Sequence, residues 1–484
     1  MKKIFAIIAI VMVACLSLTG LLATDYVAVA EGETDFSKSV VAQTPSSNTY
    51  QGTTYYGIKN IEEWKWVFDN IDKINERKNT LVIEKDLDFS KHTNIPSLDY
   101  GSRQGDGTGA SSPMRFSIVG GKMAVEPNGA VKISNFIPTI TGYSIKIDKR
   151  NFGFMNMFDG EIIKNLKFDG MKFTYAGKAT DQVGGSIGGL VGTLLSGTIE
   201  NVSFTNADLN VANFNGVVGG VVGKVINGTI SATDFQGNII ATASNARVGG
   251  MVGEIIMGEI DYTGNHNVND IKIKDSYVVA NIEGGKYAGG IIGNIGYTIY
   301  PGFDKLTSLA NINVQNVYAK LKKITVADTK GAPYGILGNA NIEKEEVVLP
   351  PLGQEATPST IVPIANVKFV NIISSNTTES KALTQMPINF PNAQVTNGKA
   401  MPNEDFAISA NYSRFELGKV WIMPETDDAA NQQLDLIYKY DGTNLQCVTG
   451  TSLGIFSLDK SLENTWDEYV KKFFAKVEIE WETI

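Results

Sequence analysis

Along most of this chain apolar and polar positions alternate at a period of two, and glycines break the alternation at regular intervals. Ile163-Lys-Asn165-Leu-Lys-Phe168, Ile199-Glu-Asn201-Val-Ser-Phe204, Val314-Gln-Asn316-Val-Tyr318 and Ile364-Ala-Asn366-Val-Lys-Phe369 repeat one such pattern. Val131-Lys-Ile-Ser-Asn135-Phe136 precedes them, and Ile271-Lys-Ile-Lys-Asp275-Ser-Tyr277 is a looser copy. Alternation of this kind gives a strand one buried and one solvated face. Asn at a fixed place in the copies (Asn135, Asn165, Asn201, Asn316 and Asn366) predicts a ladder at a corner, each side-chain amide bonding its neighbour's backbone.

The glycines follow a phrase of their own. Gly189-Leu-Val-Gly192, Gly220-Val-Val-Gly223, Gly250-Met-Val-Gly253 and Gly290-Ile-Ile-Gly293 are each preceded by another glycine, and Gly335-Ile-Leu-Gly338 is a degenerate copy. Behind the first three comes Gly-x-Ile, starting at Gly197, Gly228 and Gly258. A spacing of about thirty residues marks stacked copies of one small unit. A unit this short and this rich in Val, Ile and Thr predicts a coil of β-strands. The fold expected is all-β: a right-handed parallel β-helix, or β-solenoid, over 101–423. Its corner glycines would serve either a left-handed φ or the close approach of the next coil.

The ends differ from this middle. Asn60 with Glu63 three residues on is a capping box. Ile61, Trp64, Val67, Phe68, Ile71 and Ile74 share one face, predicting a helix over about 60–76 that covers the first coil's open edge. That helix and the first strands (Leu81-Val-Ile83, Asp86-Leu-Asp88) make an N-terminal cap over 52–100, behind a polar, flexible linker at 31–51. Residues 424–484 read as a C-terminal cap or small α+β domain. Its strands are expected at 434–440 and 454–458, followed by an amphipathic helix through Leu462, Trp466, Tyr469 and Phe473. The longest insertion, about 342–360, carries Glu343-Lys-Glu-Glu346 and Leu349-Pro-Pro351 and is the expected contact loop.

Residues 1–30 read as an export signal: Lys2 and Lys3, an apolar run from Ile4 to Ala23, and Ala28-Val29-Ala30 before Glu31. The expectation is therefore a secreted or cell-surface protein, in contact with membrane only if the leader stays uncleaved. The formal charge is −9, and loss of Lys2, Lys3 and Asp25 with the leader makes it −10. With no basic run to offset this, nucleic-acid binding is disfavoured. Cleavage leaves Cys447 as the lone cysteine, which precludes an intrachain disulfide.

Gly-Gly-Leu-Val-Gly with Gly-x-Ile-x-Asn behind it resembles the GLUG motif of bacterial surface and secreted proteins. Gly189 to Phe204 is the closest copy, and Gly220 to Ile230 and Gly250 to Ile260 follow it. Ala232 and Tyr262 stand where Asn201 would recur, predicting an interrupted ladder. Phe415-Glu-Leu-Gly-Lys-Val-Trp421 is similar to the segment that closes many of these solenoids. The resemblance implies a β-helix that binds an extracellular glycan or protein, as adhesins do. It implies no chemistry, since the matched residues are glycines, aliphatics and Asn.

The chain offers little for catalysis. His92 and His266 are its two histidines and no His-Glu-x-x-His occurs. The glycine phrases lack the Gly-Lys-Ser/Thr of a phosphate loop. No cofactor or metal is expected, although a single calcium at Asp86 and Asp88 is conceivable. A carbohydrate-active β-helix enzyme would need acids, or acids with Arg or Lys, clustered on successive coils. The repeats hold Glu200, Asp234, Glu254, Glu259 and Asp261, with Lys224 expected beneath Glu254 and Thr229 beneath Glu259. The expectation is a binding protein without turnover, with a polysaccharide lyase or hydrolase, or a purely structural envelope protein, as alternatives.

Overall fold

The computed structural model describes residues 34–100, 112–147, 151–178, 185–257, 269–297, 309–328 and 333–339. Beyond these it describes the strand segments 346–347, 359–360, 364–376, 394–395, 398–400, 432–440 and 445–453. The described chain is mostly strand, and its repeats pair in parallel.

One row of residues shows the principle. Tyr56, Leu81, Ile118, Ile163, Ile199, Ile230, Ile273, Val314 and Phe369 are successive Cα partners, each strand parallel to the next. From Leu81 to Val314 none of these side chains is more than 1% exposed. A second parallel sheet takes the short strands Asn151–Phe152, Ser186–Gly188, Val217–Gly219, Arg247–Gly249, Tyr287–Gly289 and Pro333–Tyr334 in sequence order. Each repeat thus contributes a strand to both sheets, and like residues stack: Ile187 on Val218 on Val248 on Ala288. Full burial of each such aliphatic is worth about 1.5–3 kcal/mol, so the repeats hold one another together.

Aromatic rings fill the N-terminal part of this core. Phe168 and Phe204 stack with centroids 4.9 Å apart, and Phe204 reaches Phe235 at 5.9 Å. In the other direction Phe168 meets Phe154, which stacks on Trp64 at 5.2 Å. Trp64 lies on α2 (Ile61–Asp69), which follows the short α1 (Phe36–Ser39) and precedes α3 (Ile71–Ile74). The single helix expected over 60–76 is therefore two, broken at Asn70, whose φ of −125° is not helical. Asn60 caps α2 by accepting the Glu63 N–H at 2.8 Å, but Glu63 accepts the Lys59 N–H, one residue before the expected partner.

The expected linker at 31–51 is not one where it is described. Phe36 is fully buried against Phe68 and Phe89, and Ser46–Tyr50 forms an antiparallel hairpin with Thr53–Ile58. A lone aromatic and a β-prone Thr/Tyr run outweigh the polar composition around them. The division at 101 is not structural either, since Thr80 pairs with Ser117 in the continuing parallel sheet.

The glycines fall into two classes. Gly188, Gly219, Gly249 and Gly289 stack in register. Gly192 faces Gly223, Gly253 and Gly293, since the flanking pairs run Val191, Val222, Val252, Ile292 and Thr193, Lys224, Glu254, Asn294. A Cβ on Gly189, Gly220, Gly250 or Gly290 would lie 2.3, 2.1, 2.1 or 1.9 Å from the carbonyl oxygen of the next repeat's glycine. Close approach, not φ, excludes a side chain there. The left-handed φ belongs instead to Gly197 (+104°) and Gly228 (+125°).

The asparagine row also differs from expectation. Asn165, Asn201, Ala232, Asp275 and Asn316 occupy one position, each with φ between 46° and 59°. Short polar side chains tolerate this conformation, and Ala232 is the exception. Most of these bonds run from side chain to side chain: Asn201 donates to Asn165 Oδ1 at 2.7 Å and Asn316 to Asp275 Oδ1 at 2.8 Å, while Asn165 donates both to the Gly120 backbone carbonyl and to Asn135 Oδ1 at 3.5 Å. Asp275, not Tyr262, is the counterpart of Ala232, because Gly228 pairs with Ile271 and Ser231 with Lys274. Lys272, not Glu259, therefore stacks on Thr229, and Gly258 to Val268 lie outside the described residues.

Asn366 leaves the row, and Asn135 stays bonded to it, through Asn165, from outside the parallel register. Asn135 sits in an antiparallel hairpin (Ser117–Val125 with Val131–Asn135) opposite Gly121, and Gly120 takes the place facing Asn165. Asn366 pairs with Asn311. With Gln315 opposite Val370 and Val317 opposite Ile372, the residue facing Asn316 is Asn371. The strand's pairing with Leu309–Val326 thus sets Asn371, five positions after Asn366, in the row.

Of the C-terminal region, Gln432–Tyr440 and Leu445–Leu453 form an antiparallel hairpin, the second strand falling before the expected 454–458. The amphipathic helix expected after Leu462, the segment Phe415 to Trp421, His266 and the leader lie outside the described residues.

Candidate functional site

Each glycine phrase folds the chain back on itself between the two sheets. The residue two places before the first glycine then meets the residue just after the last. Ser186 and Thr193 share a hydrogen bond of 2.8 Å, and seven residues apart in another repeat Arg247 Nη1 reaches Glu254 Oε1 at 2.8 Å. Val217 with Lys224 and Tyr287 with Asn294 hold the same positions in their repeats.

Stacking turns these pairs into a furrow along the repeats that is closed to solvent for most of its length, since Ser186, Val217, Thr193, Glu254 and Asn294 are each 5% exposed or less. One wall carries Ser186, Val217, Arg247 and Tyr287. The other carries Thr193, Lys224, Glu254 and Asn294, extended by Asn339, whose amide donates to Asn294 Oδ1 at 2.8 Å. Gly223, Gly253 and Gly293 line its base, and a Cβ on Gly253 would fall 2.5 Å from Val217 Cγ1. Gly is required there because the two strands of the fold converge.

The furrow's charges are few and strongly placed. Glu254 is 2% exposed, and its Oε1 also accepts the Asn294 amide at 2.6 Å. Arg247 keeps 28% of its side chain exposed, but its Nε–H is buried without an acceptor among the described residues. Burial holds the Lys224 ammonium below the usual lysine range; the Glu254 carboxylate opposes that shift and the Arg247 guanidinium reinforces it. The arrangement offers one buried acid, whose Oε1 accepts two donors, and two cations.

Of the residues singled out in the sequence, the eight phrase glycines and Asn165, Asn201 and Asn316 build the frame that positions this furrow, and none of them presents chemistry to it. Lys224 does lie beneath Glu254 as expected from the spacing. Arg247, Asn294 and Asn339 were missed. The available signal was the residue after each phrase's last glycine, which is polar in every copy: Thr193, Lys224, Glu254, Asn294 and Asn339.

Other candidates have structural work. Asp86 Oδ1 accepts the Thr139 N–H at 2.7 Å and Asp88 Oδ1 the Ser90 N–H at 2.9 Å, so both carboxylates tie backbone. His92 Nδ1 is 3.1 Å from the Thr34 hydroxyl. Asp234 is fully buried and accepts from the Ser203 hydroxyl at 2.8 Å. The ends of the 342–360 insertion pair antiparallel as Glu346–Val347 with Ser359–Thr360. Among the described residues, no group of three or more His, Cys, Asp or Glu is placed to hold a metal ion, and no helix is long and apolar enough to cross a membrane.

A family of unknown function (DUF5721) matches residues 387–482. The match begins ahead of the boundary expected at 424 and includes the segment Phe415 to Trp421. No curated protein matches the chain.

Proposed function

We propose that this chain is an exported bacterial binding protein of the GLUG-motif type. In this reading its repeats form a right-handed parallel β-solenoid that engages an extracellular glycan or protein through its side. The observation that carries the reading is the parallel register maintained from Thr53–Ile58 to Ile364–Asn376. Such stacking gives extended rows of side chains at one-strand intervals of about 4.8 Å, a surface suited to a long ligand. The family match at 387–482 supports treating the C-terminal part as a separate unit.

The test is a glycan-array and matrix-protein screen of the purified chain from Glu31 onward, with N-terminal sequencing of the exported product. Saturable binding to a glycan or matrix protein, and a mature start at Glu31, are the expected results. A chain that stays unprocessed inside the cell, or that binds nothing on either panel, refutes the reading.

The carbohydrate-active alternative is favoured by one observation, the meeting of Glu254 with Arg247 and Lys224. It requires cleavage of a polysaccharide that is lost in Glu254→Gln. Glu254 is 2% exposed and its Oε1 is engaged by Arg247 and the Asn294 amide, so this alternative ranks second.

A further inference from the structure

The aromatic core ends on a segment that is only lightly attached to the fold. Phe36 closes the chain of rings: it meets Phe89 at 5.6 Å, Phe68 at 6.0 Å and His92 at 5.8 Å, and Phe89 leads on through Tyr143 to Phe154. The strap that carries Phe36 is slight. Thr34–Asp35 pairs with His92–Thr93 over two residues, in a two-stranded sheet separate from the main one. From Thr34 to Ser39, Phe36 is the one buried side chain, and Ser37, Lys38 and Ser39 are exposed. Three bonds cross from the strap to the body. The Thr34 N–H donates to Lys91 O at 2.9 Å, the Thr34 hydroxyl lies 3.1 Å from His92 Nδ1, and the Asn94 amide donates to Asp35 Oδ2 at 3.1 Å. One buried ring and a few exposed hydrogen bonds place the strap at the low-stability end of the molecule, able to open while the repeats stay closed. Opening puts Phe89, which is fully buried in the closed chain, in contact with water, and an identical ring restores its cover.

The join between strap and body is short. Val41 and Ala42 are both exposed, and at Gln43 the chain is tied again, its N–H donating to Glu62 O at 3.0 Å. Val41 is 80% exposed, the more exposed of the two large hydrophobic side chains that face solvent among the described residues. A short hinge beside a detachable terminal segment is the arrangement that lets two identical chains exchange that segment. Every strap contact made within one chain is made again between two, so the hinge decides the balance. In a two-fold exchanged pair the hinges cross near the axis, and each Val41 gains the apolar cover that a single chain does not give it.

We propose that two copies of this chain exchange residues 34–40, each Phe36 filling the place beside the other copy's Phe68 and Phe89, and so join at the N-terminal end of their repeats. Once the leader is removed the strap has a loose end, so the exchange needs no threading of one chain through the other. On that point alone the inference rests on the export reading above; it does not depend on what the repeats bind.

A pair of cysteines reads the exchange directly. Thr34 and His92 are Cα partners in adjacent strands, and a strand spacing of about 4.8 Å lies within the reach of a disulfide. The chain from Glu31 onward, carrying Thr34→Cys, His92→Cys and Cys447→Ser, is oxidised at rising protein concentrations and run on non-reducing gels. The expected result is a disulfide-linked dimer whose share grows with concentration, matched by a dimer of the unaltered chain in sedimentation. Phe36→Ala, or a chain that starts at Val41, should lose the dimer while the main melting transition remains. Val41→Ser leaves the strap intact and should weaken the dimer by about tenfold. A Gly-Ser-Gly insertion after Ala42 relaxes the hinge and should favour the single chain. Bridges formed within one chain at every concentration overturn the inference, as does a dimer that persists without Phe36. Neither outcome touches the glycan reading, whose screen measures binding and not assembly. A chain that keeps its leader overturns both.

Discussion

Replacing Gly220 with alanine tests the stacking at its tightest point. The added Cβ would lie 2.1 Å from the Gly250 carbonyl oxygen and 2.7 and 2.8 Å from two Phe235 ring atoms. The Gly250 carbonyl is not free to rotate away, because the N–H groups on either side of it are held by the next repeat, Gly250 N–H by Gly289 O and Met251 N–H by Ile291 O, both at 3.0 Å. The contact must grow by more than 1 Å, which means opening two repeats or tilting Phe235 out of the row it shares with Phe204. Inserting a methylene into packed structure costs about 1–3 kcal/mol, and a clash with backbone on one side and a core ring on the other puts Gly220→Ala at about 3 kcal/mol or above. The control is Gly170→Ala, where φ is +68° and nothing lies within 4 Å, so only the backbone penalty of about 1 kcal/mol applies. Urea melts followed by far-UV circular dichroism compare the two. If Gly220→Ala melts with the unaltered chain, or no earlier than Gly170→Ala, close approach is not the reason for the phrase glycines. A larger loss at Gly170 would reverse the two classes of glycine.

Three further outcomes follow from the same geometry. Ala232→Asn should stabilise by about 1 kcal/mol, because Asn tolerates the left-handed φ of 46° that alanine does not, and it fills the gap between Asn201 and Asp275; a lower midpoint refutes the row. Trp64→Ala should cost about 3–5 kcal/mol, since the indole is fully buried against Phe154 and Phe68 and its loss uncovers the end of the aromatic core; a change below about 1 kcal/mol removes the capping role of α2. Lys224→Met should raise the thermal midpoint at neutral pH. The folded-state pKa of Lys224 is depressed, so the folded chain binds protons less readily than the unfolded one. The cost of the charge is full below the folded pKa, fades as pH rises toward the unfolded value of 10.5, and vanishes above it. A stability advantage that grows with pH would contradict this assignment.

The local sequence determined the strands, because alternation and glycine punctuation need only neighbouring residues to be read. Val191, Val222, Val252 and Ile292 follow glycine phrases at fixed offsets, and they stack as those offsets require. The α2 cap was legible for the same reason, as Asn60 and Glu63 act within one turn. Pairing register was legible only where loops have constant length. The segment between Met257 and Asn269 displaced the expected partner of Ala232 from Tyr262 to Asp275, and the similar pattern at Asn366 lay five residues from the true row at Asn371. A strand written as alternating residues fits its neighbour in several registers, and only the burial summed over the whole repeat selects among them. Tertiary structure also decided which glycines carry close contact alone, as Gly220 does, and which combine it with a left-handed φ, as Gly197 and Gly228 do, since a missing Cβ looks the same in sequence either way. The furrow was decided last of all. Arg247 and Glu254 belong to opposite walls of one folded phrase, and Lys224 belongs to another repeat. Their charges meet because chain reversal at the glycines and stacking of repeats act together, and no linear spacing encodes that convergence.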